Sequence, residues 1–238
     1  MNILLHKAGE RGGGNHGWLT TKYSFSFSDW YEPSRMGFGA LRVLNDDSIA
    51  PSSGFPPHSH REMEIITIVT SGAVTHEDSM GNKGEVKKGD VQVMSAGTGV
   101  THAEQNNSTT EPLALFQLWI EPNEKGIVPR YDQRAFGFEN QGLGITTLVS
   151  PFSDTEGLSI HQEAYVSYAS IDKNNPFTYT LHDEHAGVYV FVIEGNAEIE
   201  GRELGARDAV GISETDSFDI SSPDQVKVLL VEVPFESE

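Results

Sequence analysis

The chain has 238 residues, enough for two compact domains of about 100 residues each. Thirty-five acidic residues face sixteen basic ones, a formal net charge of −19. This excess repels phosphate backbones and anionic lipid headgroups, so it argues against nucleic acid and membranes as direct partners and leaves a small molecule or a protein. The absence of cysteine excludes disulfides, thiolate metal ligands and cysteine nucleophiles.

The N-terminal segment MNILLHKAGERGGGNH carries charge and glycine after a short apolar stretch, which is unlike a secretory signal. No apolar run approaches the roughly 18 residues of a membrane helix. We therefore expect a cytoplasmic protein.

Short alternating or β-branched runs dominate the chain, and helical periodicity is hard to find. In chain order they predict strands over residues 23–27, 63–69, 90–94, 113–120, 188–193 and 227–233. Glycine-containing turn signals separate these runs. Many short strands at this spacing predict an all-β sandwich or barrel.

A coarse internal repeat predicts two tandem β-barrel domains. ITIVTSGAVTHED followed by GEVKKGDVQVM in the first half matches VYVFVIEGNAEIE followed by GRELGARDAVGI in the second, each as strand, glycine turn and strand. The polar, glycine-containing segment 129–144 is the predicted join. We expect an N-terminal metal-binding domain over residues 1–130 and a C-terminal domain without a metal site over 145–238.

Two pairs of candidate ligands lie in the first half. His58 and His60 are two residues apart, as are His102 and Glu104, so each pair shares one face of a strand. Neighbouring strands lie about 4.8 Å apart, which lets all four side chains reach one ion. Imidazole and carboxylate ligands suit iron(II), manganese, nickel, copper or zinc.

These segments also carry a resemblance to a known family. HSHREMEIITIVTSG and KGDVQVMSAGTGVTHAE resemble the two cupin motifs, and H-x-H-x3-E with GDVQxMxAGxGxxHxE resembles the pirin family in particular. The resemblance continues through HGWLTTKYSFSFSDWYEPSRMGFGALRVLNDD, LFQLWIEP and PRYDQRAF, and ELGARDAVGI resembles the second pirin domain. It implies an all-β bicupin with two jelly-roll-like barrels.

The family resemblance also implies a site and a reaction. It places one divalent transition metal, iron(II) first among zinc, manganese, nickel, copper and cobalt, on His58, His60, His102 and Glu104. Bacterial members resemble quercetin 2,3-dioxygenases, oxidoreductases that cleave the central ring of a flavonol with O2 and release carbon monoxide. Glu104 would then also be the catalytic residue that accepts the flavonol proton.

Three alternatives stay open on the sequence. The first is a non-enzymatic, pirin-like regulator that binds a protein partner. The second is an enzyme whose natural substrate is another oxygenated aromatic compound. Glu64, the glutamate of the first cupin motif, competes with Glu104 as the carboxylate ligand, although a role beside a ligand histidine or in a surface ion pair suits it better.

The remaining candidates have structural interpretations. We expect His76 to hydrogen-bond a neighbouring carbonyl. His182 and His185 are three residues apart, so an extended strand would point them to opposite faces. We expect the partly alternating aromatic residues of the 23–31 segment to pack in the core or between the domains; these are Tyr23, Phe25, Phe27, Trp30 and Tyr31.

Overall fold

The computed structural model of the chain describes residues 1–138 and 142–235. Residues 139–141, which belong to the predicted join, and residues 236–238 lie outside the described part. Within that part, a short 3-10 helix at Ala8–Glu10 interrupts a succession of strands. No helix among the described residues is long and apolar enough to cross a membrane.

Twenty-two strands are described, and the all-β prediction is confirmed. They are β1 (Asn2–His6), β2 (Gly12–Asn15), β3 (Leu19–Tyr23), β4 (Leu41–Ile49), β5 (Ser53–His60), β6 (Glu64–Ser71), β7 (Ala73–Asp78), β8 (Lys83–Lys87), β9 (Asp90–Ser95), β10 (Val100–Asn106), β11 (Leu113–Ile120), β12 (Arg130–Ala135), β13 (Gly144–Pro151), β14 (Leu158–Ile160), β15 (Tyr165–Ile171), β16 (Phe177–Thr180), β17 (Ala186–Glu194), β18 (Ala197–Ile199), β19 (Arg202–Leu204), β20 (Ala209–Ser213), β21 (Ser217–Ser221) and β22 (Val226–Pro234).

The strands form two barrels, each built from a large and a small sheet. In the first domain a seven-stranded sheet, ordered β12-β9-β6-β11-β4-β3-β2, faces a four-stranded sheet ordered β5-β10-β7-β8. The second domain repeats this plan with β1-β20-β17-β22-β15-β13-β14 and β16-β21-β18-β19. The predicted repeat is confirmed because β6 to β9 and β17 to β20 occupy matching places in the two domains.

The two large sheets pack against each other through a shared apolar core. On β6, Ile66 and Ile68 join a buried cluster that includes Phe191 and Leu229 of the second domain. Ile65, one position from Ile66 and therefore on the opposite face, belongs to the interior of the first barrel. Burial on both faces explains why the central strands β6, β11, β17 and β22 read as nearly continuous apolar runs.

One predicted strand is wrong. The run at 23–27 was expected to be extended, but β3 ends at Tyr23, where its register with β4 stops at the pair Tyr23↔Asn45. Beyond it, the Ser26 hydroxyl donates to the Glu32 carbonyl, and its backbone N–H donates to the Arg35 carbonyl. These local bonds bend the chain away from the sheet.

The predicted join contains a strand. β12 lies within residues 129–144 and pairs with β9 over six residues, so this segment closes one edge of the first large sheet. The N-terminal strand β1 precedes the first barrel in the sequence but pairs with β20 of the second domain. The boundaries 1–130 and 145–238 stay a prediction. β12 continues beyond residue 130, and β1 lies within 1–130 but pairs with a strand of the second barrel.

The shared core predicts that loss of side-chain volume between the large sheets destabilises the protein. Ile66 is fully buried there, so Ile66→Ala should lower the free energy of unfolding by about 2–5 kcal/mol, measured by urea denaturation. Val128 is 83% exposed, and the matched Val128→Ala change should stay within about 0.5 kcal/mol. Equal effects of the two changes would contradict this packing.

Candidate metal centre

Three predicted ligands meet where β5 and β10 pair in the small sheet of the first domain. His102 lies directly opposite His58 in the antiparallel register. His60 lies two residues along β5 on the same face. The ring centroid of His102 is 4.4 Å from that of His58 and 5.0 Å from that of His60. One nitrogen from each ring lies within 4.8 Å of the others, the spacing of ligands around one ion.

Glu104 follows on β10, on the side of His102 away from His60. The register between β5 and β10 shifts between His102 and Glu104. The carboxylate is buried and accepts hydrogen bonds from Thr67 Oγ1 at 3.3 Å and from Gln117 Nε2 at 3.2 Å. Burial, with the nearby charge of Asp47, raises the pKa of Glu104 to about 7. A group this costly to ionise in isolation suits a cation as its neighbour.

His76 lies closer to the site than the sequence indicated. We expected a hydrogen bond to a carbonyl, but His76 Nε2 is bonded to the Asp78 carboxylate at 2.9 Å. The other ring nitrogen, Nδ1, lies 3.4 Å from His102 Nδ1. His76, His102 and Glu104 form a second group of possible ligands within 4.8 Å of one another. The two groups share His102.

Hydrogen bonds fix the orientation of two ligand rings. His58 Nδ1 lies 2.9 Å from the Pro56 carbonyl, which only accepts, so Nδ1 carries a proton and Nε2 is the nitrogen that has a lone pair in the neutral ring. Asp78 accepts from His76 Nε2, so a neutral His76 ring accepts at Nδ1 from His102 Nδ1–H. His102 Nε2 is then a free lone pair, and it is buried without a partner in the protein.

These residues fit a transition-metal ion. Burial lowers the pKa of His60 to about 4 and that of His102 to about 3, so both rings are neutral at pH 7 and can donate lone pairs. The donor set of imidazole nitrogens and a carboxylate, without thiolate, suits iron, nickel, manganese or zinc. The unpartnered His102 Nε2 is the atom that a cation would satisfy.

The four predicted residues line one cavity of about 170 Å³ between the two sheets of the first domain. Its walls are mostly apolar and aromatic, and they include Phe27, Phe55 and Trp119. The indole of Trp119 meets the imidazole of His60 edge to face at 5.0 Å. The histidines therefore open into a cavity that combines apolar and aromatic walls with polar side chains from the facing sheet.

Sequence reasoning missed several polar residues of this cavity. Thr21, Asn45, Asp47 and Gln117 line it from the facing large sheet. Gln117 carried a usable signal, since it is a polar residue inside the apolar strand LFQLWI. The other three are on β3 and β4, in segments that contain many polar residues, and their position inside the barrel depends on strand register.

Glu64 lies on the wrong face of β6 for the site. Thr67, three residues later, faces the cavity side and bonds Glu104, whereas Glu64 points toward the domain interface. Its carboxylate accepts from Ser95 Oγ at 2.7 Å, and its Oε1 has no partner in the protein. Burial raises its pKa, opposed by Ser95, the His161 backbone N–H and Arg130.

The aromatic residues of the 23–31 segment divide among three environments. Phe25 packs against Tyr189 of the second domain at 5.1 Å, as expected for the domain interface. Tyr23 and Phe27 line the cavity instead. Tyr31 is 70% exposed, so its predicted packing is wrong. Trp30 is partly buried, and its ring covers Gly12.

The second barrel is filled differently. Its interior is a cluster of apolar side chains such as Val188, Val190 and Leu230. His182 is engaged by the buried Glu232 carboxylate at 2.8 Å and stacks on Tyr165, while His185 is exposed. The polar groups around Glu232 partner each other.

Paired barrels with H-x-H and H-x-E on adjacent strands of the first define a two-domain cupin. The chain belongs to the pirin family: the Pirin family model matches residues 5–120, and the model of the quercetinase C-terminal cupin domain matches residues 147–233.

Named relatives cover the whole chain. A protein of Escherichia coli K12 named quercetin 2,3-dioxygenase is 42% identical over 232 residues, which are 98% of this chain and 99% of that one. A pirin-like protein of Caulobacter vibrioides is 44% identical over 222 residues, 93% of this chain and 95% of the other. Crystal structures of YhhW from Escherichia coli include one described as a bacterial pirin in complex with nickel(II); that structure has a TM-score of 0.93 and 40% identity, covering 99% of this chain and 100% of the other.

The environment of Glu64 predicts a pH-dependent gain in stability for Glu64→Gln. A carboxyl whose folded pKa is raised destabilises the protein once the pH exceeds its unfolded pKa, and it costs nothing well below that pKa. The variant should therefore unfold at higher urea than the wild type at pH 7, with an advantage that shrinks as the pH falls toward the unfolded pKa of about 4.5 and is absent below it. An advantage for the wild type at pH 7 would show that pairing with Arg130 outweighs desolvation.

Proposed function

We propose that this chain is a metal-dependent dioxygenase that opens the central ring of a flavonol, with the metal held by His58, His60, His102 and Glu104. The observation that carries the proposal is the cavity that neutral imidazoles and a buried carboxylate share with the aromatic side chains of Phe27, Phe55 and Trp119. Relatives at about 42% identity are named quercetin 2,3-dioxygenase. The reaction consumes one flavonol and one O2 and gives a ring-opened ester and one carbon monoxide.

Iron(II) is our first choice of metal, and nickel(II), which a related bacterial pirin binds, is the first alternative. When bound, a divalent ion supplies Lewis acidity that favours the oxyanion of the flavonol 3-hydroxyl. Four protein ligands would leave part of the coordination sphere of such an ion open to exogenous ligands. His58 and His102 each present one oriented lone pair, because their other ring nitrogen is engaged by Pro56 and His76.

Glu104 is our choice for the group that accepts the flavonol proton. Thr67 and Gln117 hold the carboxylate in place, so it needs little reorganisation when it takes the proton. Proton transfer from the 3-hydroxyl oxygen to a Glu104 oxygen leaves a neutral carboxylic acid.

The cavity encloses the reacting end of the substrate. Phe27, Phe55 and Trp119 exclude water and offer flat surfaces to an aromatic ring. Its volume of about 170 Å³ is below the roughly 300–1,000 Å³ of pockets that enclose drug-sized ligands. One end of a flavonol is therefore enclosed and the rest lies in the open mouth, where His58 and Phe55 are partly exposed.

The ligand assignment predicts which variants lose metal. Calorimetric titration of the metal-free protein with nickel(II) should give one site in the wild type. His58→Ala and His102→Ala should weaken this site at least tenfold because each removes an imidazole ligand. Glu64→Gln is the control and should titrate like the wild type, since Glu64 points away from the cavity. Stoichiometric, tight binding in both histidine variants would contradict the assignment.

The reaction predicts a second set of measurements. Iron-loaded or nickel-loaded protein should consume O2, bleach the flavonol absorbance of quercetin and release carbon monoxide in equal amounts. Glu104→Gln should lower kcat by about 10²-fold or more, the usual effect of removing a general base. Its metal content, measured in the same samples, separates loss of the base from loss of the ion.

The control and the contrary outcomes are distinct. Glu64→Gln should keep wild-type turnover. An unchanged rate and pH profile in Glu104→Gln would remove Glu104 from the base role. No turnover with any of several metals would favour a pirin-like partner-binding role in place of the enzyme.

A further inference from the structure

The face of the cavity opposite the histidines carries a compact polar group. Thr21 on β3 lies directly across from Asp47 on β4, and Asn45 lies two residues from Asp47 on the same face of β4. The three side chains are between 95% and 98% buried, and all three line the cavity. They belong to the large sheet, whereas the ligand histidines belong to the small one.

One polar atom of each of these three side chains has no hydrogen-bond partner in the described part of the protein. Nine buried side-chain atoms in the described part of the chain lack one, and five of them belong to residues that line this single cavity. One is His102 Nε2, assigned above to the metal. The other four are Thr21 Oγ1, Asn45 Oδ1, Asp47 Oδ1 and Trp119 Nε1. An unsatisfied buried polar atom costs about 1–3 kcal/mol, so four around one space indicate a partner that comes from outside the chain.

Asp46, the neighbour of Asp47 on β4, is a carboxylate whose charge is paired within the protein. Asp46, on the opposite face of β4, pairs with Arg11 at 3.3 Å and with Arg207 at 2.8 Å. Asp47 has no such cation in contact. Burial raises the pKa of Asp47 to about 6, and its charge in turn raises that of Glu104. The Thr21 hydroxyl offsets part of the rise in the pKa of Asp47. Neither Thr21 Oγ1 nor Asp47 Oδ1, however, has a partner at hydrogen-bond geometry.

The chemistry of these atoms defines the ligand that would satisfy them. Asn45 Oδ1 and Asp47 Oδ1 are acceptors, and a phenolic hydroxyl carries one proton, so two acceptors call for two hydroxyl groups. Trp119 Nε1–H donates and calls for an oxygen acceptor. The aromatic side chains that line the same cavity suit a flat ring.

We propose that Asn45, Asp47 and Trp119 form a recognition subsite for hydroxyl groups on an aromatic ring, and that this subsite selects polyhydroxylated aromatic substrates. This inference rests on the proposed function for the end of the substrate that meets the metal. Asp47 is the specificity-determining residue, because its carboxylate makes the strongest of these hydrogen bonds. The substrate class is a polyphenol with hydroxyl groups beyond those that chelate.

The test compares two ligands that share the chelating 3-hydroxyl and carbonyl. Quercetin carries further ring hydroxyls, and 3-hydroxyflavone carries none. Calorimetric Kd values are measured on nickel-loaded protein without O2, so no turnover is needed. The wild type should bind quercetin at least tenfold more tightly than 3-hydroxyflavone. In Asp47→Leu this ratio should fall about tenfold through weaker binding of quercetin, the loss expected for one hydrogen bond to a charged group.

Two further variants keep the result interpretable. Asp47→Asn keeps the shape and an acceptor oxygen, so it should retain part of the selectivity even if Asp47→Leu does not fold. Asp29 is an exposed carboxylate close enough to Tyr23 to affect its pKa, and Asp29→Asn should leave the ratio at the wild-type value. This control separates loss of a nearby negative charge from loss of the subsite.

The outcomes distinguish this inference from the dioxygenase proposal. Selective binding without turnover would support the subsite and contradict the enzyme. Turnover of quercetin with an unchanged ratio in Asp47→Leu and Asp47→Asn would support the enzyme and overturn the subsite. Equal binding of both ligands to the wild type, or binding of neither, would also overturn it.

Discussion

The register between β5 and β10 is the constraint on which the candidate site depends. Antiparallel pairing sets His102 opposite His58, and the two-residue period of a strand then brings His60 to the same face. A slip of one residue would turn His102 and Glu104 to the outer face of the small sheet. The hydrogen bonds of His58 to Pro56 and of His102 to His76 add a fixed ring orientation to this placement.

The interiors of the two barrels differ in polarity. Their large sheets bury one apolar face each against the other, and the second barrel is filled with valine, isoleucine and leucine. The interior of the first barrel contains polar side chains and a cavity, whereas the interior of the second barrel is packed with apolar side chains. Buried Asp47, Glu64 and Glu104 each carry a raised pKa, which is a cost to folding that the extensive apolar packing offsets.

The sequence predicted the features that depend on strand periodicity. H-x-H and H-x-E place side chains on one face without knowledge of the fold, and alternating runs located most of the strands. The choice of Glu104 over Glu64 came from family resemblance, and the opposite face of β6 now supplies a physical reason for it. The pairing of strands that are distant along the chain could not be predicted from the sequence. This pairing brings Thr21, Asn45 and Asp47 from two strands into one cavity. The alternating aromatic residues predicted a strand as far as Phe27. The strand ends at Tyr23 instead, and Ser26 makes local hydrogen bonds beyond it.

Anomalous diffraction at the nickel absorption edge, from crystals of the nickel-loaded protein, locates the bound ion. We expect one peak in the first domain, bonded to His58, His60, His102 and Glu104. The structure also offers a competing group, because the ligand atoms of His76, His102 and Glu104 also lie within 4.8 Å of one another. A peak bonded to His76 with His58 and His60 left free, or no ordered peak in the first domain, would contradict the account.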